Sequence, residues 1–159
     1  MDWDAISAIG EIVGAAAVVI SLAYLALQIK NQNAESKAAA MHDISVGFRG
    51  SVTMFTDGDI AAIFVKANED FDSLSKIEIV QFVSSIHALF RVFEEAFNQH
   101  RRGRLDEDLW DGMNRQYSSY LSAPAFQHYW NMRRGHYTDK FQRYVDSMER
   151  TELGYEFDA

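Results

Sequence analysis

From Ala5 to Ile29 the chain has no alternation of polar and apolar positions. The stretch AISAIGEIVGAAAVVISLAYLALQI is apolar or small almost throughout, with Glu11 its one charge in 25 residues. A segment that is apolar all round has no face to show to water, which sets it apart from an amphipathic surface helix. At about 1.5 Å per residue it reaches roughly 37 Å, enough to cross a hydrocarbon core of about 30 Å. In lipid every backbone polar group must be satisfied within the segment, and that forces a helix. Trp3 stands where an interfacial aromatic anchor belongs, and Lys30 closes the other end. The expectation is a transmembrane anchor over residues 1–30. Two readings compete with it. A cleaved signal peptide opens on basic residues and has a shorter apolar run, whereas this chain opens Met-Asp-Trp-Asp; a soluble core helix is rarely so long and so uncharged.

After Lys30 the pattern becomes periodic. The Ala-rich stretch to Asp57 continues the first helix, with Gly47 and Gly50 expected to weaken or bend it and Asp57-Gly58 to stop it. A short helix over about 59–68 puts Ile60, Ile63 and Phe64 on one face. The clearest soluble helix starts at Ser75, where Ser75-Lys76-Ile77-Glu78 is a capping box. Ile79, Val83, Ile86, Phe90, Phe93 and Phe97 then recur at spacings of three and four, a stripe that predicts a buried face. Gly103 ends this helix. Asp106 suits the next N-cap, with Leu105 positioned to staple onto Trp110, and this helix is expected to run to about Ser122. Pro124 fits the first turn of another helix, ending at Gly135. Thr138-Asp139 caps the last, with Phe141, Tyr144, Val145 and Met148 facing inward. The predicted fold class is all-α: one transmembrane helix (1–30) continuing into a bundle-like cytosolic helical domain (31–150), then an acidic tail (151–159).

Composition narrows the functions open to such a chain. The 159 residues include 11 Phe, 7 Tyr and 3 Trp, enough aromatic surface to fill a compact helical core, and a single proline. There is no cysteine, so no disulfide, thiolate nucleophile or cysteine-ligated zinc is available. The net charge is −8, and it is still −5 without the first 29 residues, which argues against nucleic acid as a partner. Lys30, Lys37 and Arg49 follow the apolar segment and no Lys or Arg precedes it. The positive-inside rule then places the N-terminus outside and the large domain in the cytoplasm.

The segments GEIVGAAAVVISLAYLALQIK, ALFRVFEEAFNQHRRGRLDEDLW and SAPAFQHYW resemble an uncharacterised bacterial family of short single-span membrane proteins. Its members pair a Gly-rich N-terminal helix with an aromatic-rich helical domain. The resemblance covers most of the chain and implies an inner-membrane location; it implies no activity.

Several groups of residues are candidates for function. Ser7, Gly10, Gly14, Ala17, Ser21, Tyr24 and Gln28 recur at alternating spacings of three and four, forming one stripe of the apolar helix. Small residues let helix backbones approach, and Gly10 and Gly14 form a GxxxG, so the stripe predicts self-association. The plainer alternative is chance, since Gly and Ala are common in membrane helices. Glu11 lies beside the stripe and is an intramembrane acid, a default candidate for an ion path. On the long aromatic helix His87, Arg91, Glu94 and Asn98 form a polar stripe. Arg91 and Glu94, at i and i+3, can pair, and the plainer reading of the stripe is structural.

Arg101, Arg102 and Arg104, and Arg133 with Arg134, are basic clusters at predicted helix ends. Helix-dipole chemistry explains them, with anionic headgroups or acidic surfaces of neighbouring subunits as alternatives. The aromatic run through Phe126, Tyr129, Trp130, Tyr137, Phe141 and Tyr144 reads as core. The five histidines show no metal-ligand spacing, and Glu-x-x-His is absent. No cofactor, metal or catalytic signature is expected. The leading expectation is a membrane-anchored, homo-oligomeric scaffold or accessory protein whose partners are the bilayer, other copies of itself and an unidentified protein. The alternatives are a small ion-conducting pore and a membrane-tethered ligand-binding or enzymatic domain.

Overall fold

The computed structural model describes residues 2–151, apart from the side chains at positions 5 and 6. Six α-helices follow in order: α1 (Trp3–Thr53), α2 (Gly58–Glu69), α3 (Lys76–Arg101), α4 (Glu107–Tyr120), α5 (Pro124–Arg133) and α6 (Asp139–Asp146). Among the described residues there is no strand; short 3-10 turns lie at Met54–Thr56, Phe71–Ser73 and Arg134–His136. The expected all-α class is therefore present, with one long apolar N-terminal helix. The acidic tail lies outside the described residues from position 152 onward.

The chain divides into two units, residues 1–39 and 40–159. The first is helix alone. Its apolar side chains are exposed, from Ile12 at 69% to Leu25 at 50%. The apolar window of this helix has a mean hydropathy of 2.2, and none of it is buried within the chain.

The second unit has a core centred on α3. Phe82, Ile86, Leu89, Phe90, Phe93, Ala96 and Phe97 are all buried, and Ile86, Phe90 and Phe93 are fully so. The predicted stripe is therefore largely the buried one, although Ile79 and Val83 are only half-buried at its start. Helices α2, α4 and α5 pack on α3. Phe93 stacks face to face on Tyr117 of α4 at 3.9 Å and meets Phe141 of α6 edge-on at 5.3 Å. The Tyr117 hydroxyl, buried with its ring, donates to the Leu89 carbonyl at 2.7 Å, so an aromatic core closes without an orphaned polar tip.

Local chemistry sets most of the helix ends. Asp57 starts α2, its carboxylate accepting from the amides of Asp59 and Ile60. The capping box at α3 is complete: Ser75 N donates to Glu78 at 2.6 Å and Glu78 N donates to the Ser75 hydroxyl at 3.3 Å. Lys66 of α2 adds an ion pair to Glu78 at 3.0 Å. The Ser75 amide, its hydroxyl and then Lys66 hold the Glu78 carboxyl down at about 2. Gly103 ends the α3 segment at φ +66°, a conformation costly for any residue with a Cβ. Pro124 occupies the first turn of α5 as expected.

α1 stays helical through Gly47 and Gly50 to Thr53. Gly47 serves a close approach: a Cβ there would meet Val92 of α3 at 3.2 Å. Three expectations need correction. The helix from Asp106 ends at Tyr120, and α5 ends at Arg133, a 3-10 turn carrying the chain over Gly135. Thr138 holds the N-cap position of α6, but its hydroxyl makes no cap bond.

Candidate functional site

The start of α6 is tied instead to α3, through the amide of Thr138 itself. The Glu94 carboxylate, 5% exposed, accepts from the Thr138 backbone N–H at 2.8 Å, so a side chain 44 residues away satisfies the start of α6. Its other oxygen takes a 2.6 Å ion pair from Arg91 Nη1, the expected i, i+3 pairing. A carboxylate this deeply buried needs both partners, because an uncompensated buried charge is costly.

Arg91 spreads its donors over three acceptors. Besides Glu94, its Nη2 donates to the His136 carbonyl at 3.2 Å and its Nε donates to His87 Nε2 at 3.3 Å. The guanidinium carbon sits 5.0 Å from the centre of the Tyr137 ring, a cation–π contact. Because Arg91 can only donate, His87 Nε2 must accept, and the neutral ring carries its proton on Nδ1. That proton goes to the Tyr129 hydroxyl at 2.7 Å, and the Tyr129 and Tyr137 hydroxyls are 2.6 Å apart. Tyr137 also stands 3.2 Å from His87 Nδ1.

The result is a connected polar cluster of α3, α5 and the turn before α6. His87 is pulled below its usual value, first by burial and then by Arg91, His136 and Arg133, with Glu94 alone opposing. Burial pushes the Tyr129 hydroxyl up to about 12 and Tyr137 further still. The two phenols therefore stay protonated near neutrality and act as hydrogen-bonding groups.

The structure thus brings together His87, Arg91 and Glu94 of the predicted stripe. Asn98 is half-buried one turn further along and makes no side-chain bond to them. Tyr129 and Tyr137 belong to the aromatic run expected in the core. They are in the core and also complete this cluster, which nothing in their local sequence signals.

The basic clusters are used unequally. Arg101 lies over the Phe97 ring at 5.5 Å, and His100 stacks on Trp110 at 4.5 Å. Arg102 is the C-cap residue of α3, and Arg104 is exposed. Arg134 pairs with Asp146 of α6, whose second oxygen accepts from the Trp130 indole at 2.8 Å. Arg133 makes no hydrogen bond or ion pair among the described residues, and its Nε is buried without an acceptor.

The small-residue stripe of α1 is exposed at Ser7, Gly10, Gly14, Ala17, Ser21, Tyr24 and Gln28, and so is Glu11 beside it. A Cβ built on Gly10 or Gly14 meets nothing within 4 Å. Two polar members spend hydrogen bonds within their own helix: Ser21 donates to the Ala17 carbonyl at 2.8 Å and Gln28 to the Tyr24 hydroxyl at 3.2 Å. Among the described residues, no three or more His, Asp or Glu side chains gather as a metal would require.

No family model, no curated protein and no solved structure matches the chain.

Proposed function

We propose that this chain is a single-span inner-membrane protein that self-associates through α1 and acts as a scaffold or accessory subunit, with its all-α domain in the cytoplasm. The resemblance to short bacterial single-span proteins implies the same location. The observation that carries the reading is the apolar window of α1, with mean hydropathy 2.2 and no part buried by the chain itself. Burying one Val, Leu or Ile side chain is worth about 1.5–3 kcal/mol. A helix that leaves so many of them bare calls for lipid or another copy as its solvent.

Self-association is supported by the open backbone at Gly10 and Gly14, where a second helix has room to approach. The internal hydrogen bonds of Ser21 and Gln28 favour a packing stripe over a pore lining, since a conducting path needs its polar groups turned to the lumen.

The test is the native mass of the full chain in nanodiscs, beside Gly14→Ile. The reading expects a discrete oligomer that dissociates in the variant. A monomer in both cases removes self-association. Wild-type chain that stays soluble and fails to float with liposomes removes the membrane anchor.

A further inference from the structure

The polar cluster on α3 carries more positive charge than its internal contacts use. The ionised or ionisable groups that act on His87 are Arg91, His136, Arg133 and Glu94. Against two arginines and a second histidine there stands one carboxylate, and Glu94 is already committed to Arg91 and the Thr138 amide. This local excess sits in a chain whose net charge is −8.

Arg133 is the clearest sign. It lies one helical turn beyond Tyr129 on α5, so it shares the face whose tyrosine hydroxyl meets His87. Its place in the last turn of α5 accounts for a positive charge there. It does not account for a buried Nε with no acceptor among the described residues, because buried donors are normally paired. Its neighbour Arg134 shows the ordinary outcome, an ion pair with Asp146.

Arg91 has donors to spare as well. A guanidinium offers five N–H groups, and three are spent on Glu94, His87 and the His136 carbonyl, while the side chain is half exposed. The Tyr129–Tyr137–His87 triangle holds three protons, and with His87 Nε2 accepting from Arg91 it has acceptors for only two. Unused donors therefore come from three segments of the domain: α3, α5 and the turn through His136.

We propose that Arg133 and Arg91, flanked by His87 and His136, form a binding site for a phosphate-type oxyanion. Two guanidinium forks suit a group with three or more acceptor oxygens, and Arg is the side chain whose fork matches phosphate. The anion meets the outer guanidinium nitrogens of both arginines and offsets the cationic excess around His87. Free phosphate esters and lipid headgroups share this chemistry. The proposal does not depend on the oligomeric state of α1.

His87 is the reporter, since an anion bound between Arg91 and Arg133 stabilises its protonated form. The experiment follows the His87 ring by NMR through a pH titration of the full chain, in chloride and in inorganic phosphate at matched ionic strength, in zwitterionic micelles. Phosphate should raise the His87 pKa by about one unit. Arg133→Gln should abolish the rise, and Arg134→Gln, which removes a charge already paired, should leave it intact.

Repeating the chloride titration in nanodiscs with and without phosphatidylglycerol identifies the source. A rise in the anionic discs alone assigns the site to headgroups, whereas a rise with free phosphate alone assigns it to a soluble ligand. No rise in any condition overturns the proposal. So does a rise that survives in Arg133→Gln or disappears equally in Arg134→Gln.

Discussion

Two helices of this chain are rich in apolar residues and solve opposite problems. In α3 the apolar positions are gathered on one side, so Ile86 and Phe90 are fully buried while Ile77 on the other side is 74% exposed. In the first 39 residues the apolar positions go all the way round, and Ile20 is 69% exposed with nothing of the chain over it. Two isoleucines with almost the same exposure thus have different meanings. Ile77, with Val80 one turn on, is a small apolar spot on a wet face, which needs no explanation. Ile20 belongs to a continuous bare surface, which does. What separates the two is the company each residue keeps along its helix; exposure by itself does not.

The largest effect should come from α3. Phe93 is fully buried, stacked on Tyr117 and edge-on to Phe141. Phe93→Ala removes a ring from the centre of the helical core and should cost about 3–5 kcal/mol. Chemical unfolding of the full chain in detergent reads this loss, while recovery in the membrane fraction should be unchanged. If the variant unfolds like wild type, the aromatic core is not what holds the second unit together.

The next effect should come from the paired isoleucines. Ile20→Lys places a charge in the apolar helix and should weaken insertion by about 2.5–3.5 kcal/mol, seen as loss of carbonate-resistant protein. Ile77→Lys, at a site of equal exposure, should change neither insertion nor stability by more than about 0.5 kcal/mol. Equal behaviour of the two variants would sink the claim that the first helix is bathed in lipid.

The comparison also explains which parts of the structure were legible beforehand. Whatever depends on residues three or four apart could be read: the Ser75–Glu78 capping box, the α3 stripe, Gly103 as a stop, Pro124 at the start of α5 and the Arg91–Glu94 pair. Whatever joins distant segments could not. Asn68 of α2 accepts from the Ala125 amide at 3.1 Å and caps α5, across 57 residues. Glu94 reaches the start of α6 across 44 residues, accepting from the amide of its N-cap residue Thr138, whose own hydroxyl makes no cap bond. Gly47 looks like a helix breaker by propensity, and only the position of Val92 shows that it buys close packing instead. In the candidate site the α3 residues were legible as a polar stripe, because they lie on one helix. Their partners Tyr129 and Tyr137 were not, because a tyrosine in an aromatic run looks the same whether or not its hydroxyl has work to do.

The smallest effect concerns that cluster and turns on the sign of a titration. His87 has a lowered pKa in the fold, so the folded chain favours the neutral ring. Between that lowered value and the ordinary 6.5, the unfolded chain binds more protons than the folded one. Stability must then rise with pH across the window. His87's contribution is complete above about 6.5 and is lost as pH falls through the window. Protonating Nε2 also turns an acceptor into a donor that faces Arg91 Nε at 3.3 Å, which removes that hydrogen bond. Glu78 acts in a separate range. Held at about 2, it contributes fully above 4.5 and loses that contribution only as pH falls towards 2. Melting curves of wild type and His87→Gln between pH 8 and 5 should therefore diverge in slope, wild type losing more stability on acidification. Parallel curves would mean that His87 is solvated in both states and that the bond from Arg91 is not maintained. That result would leave the positive cluster intact but remove the histidine from it.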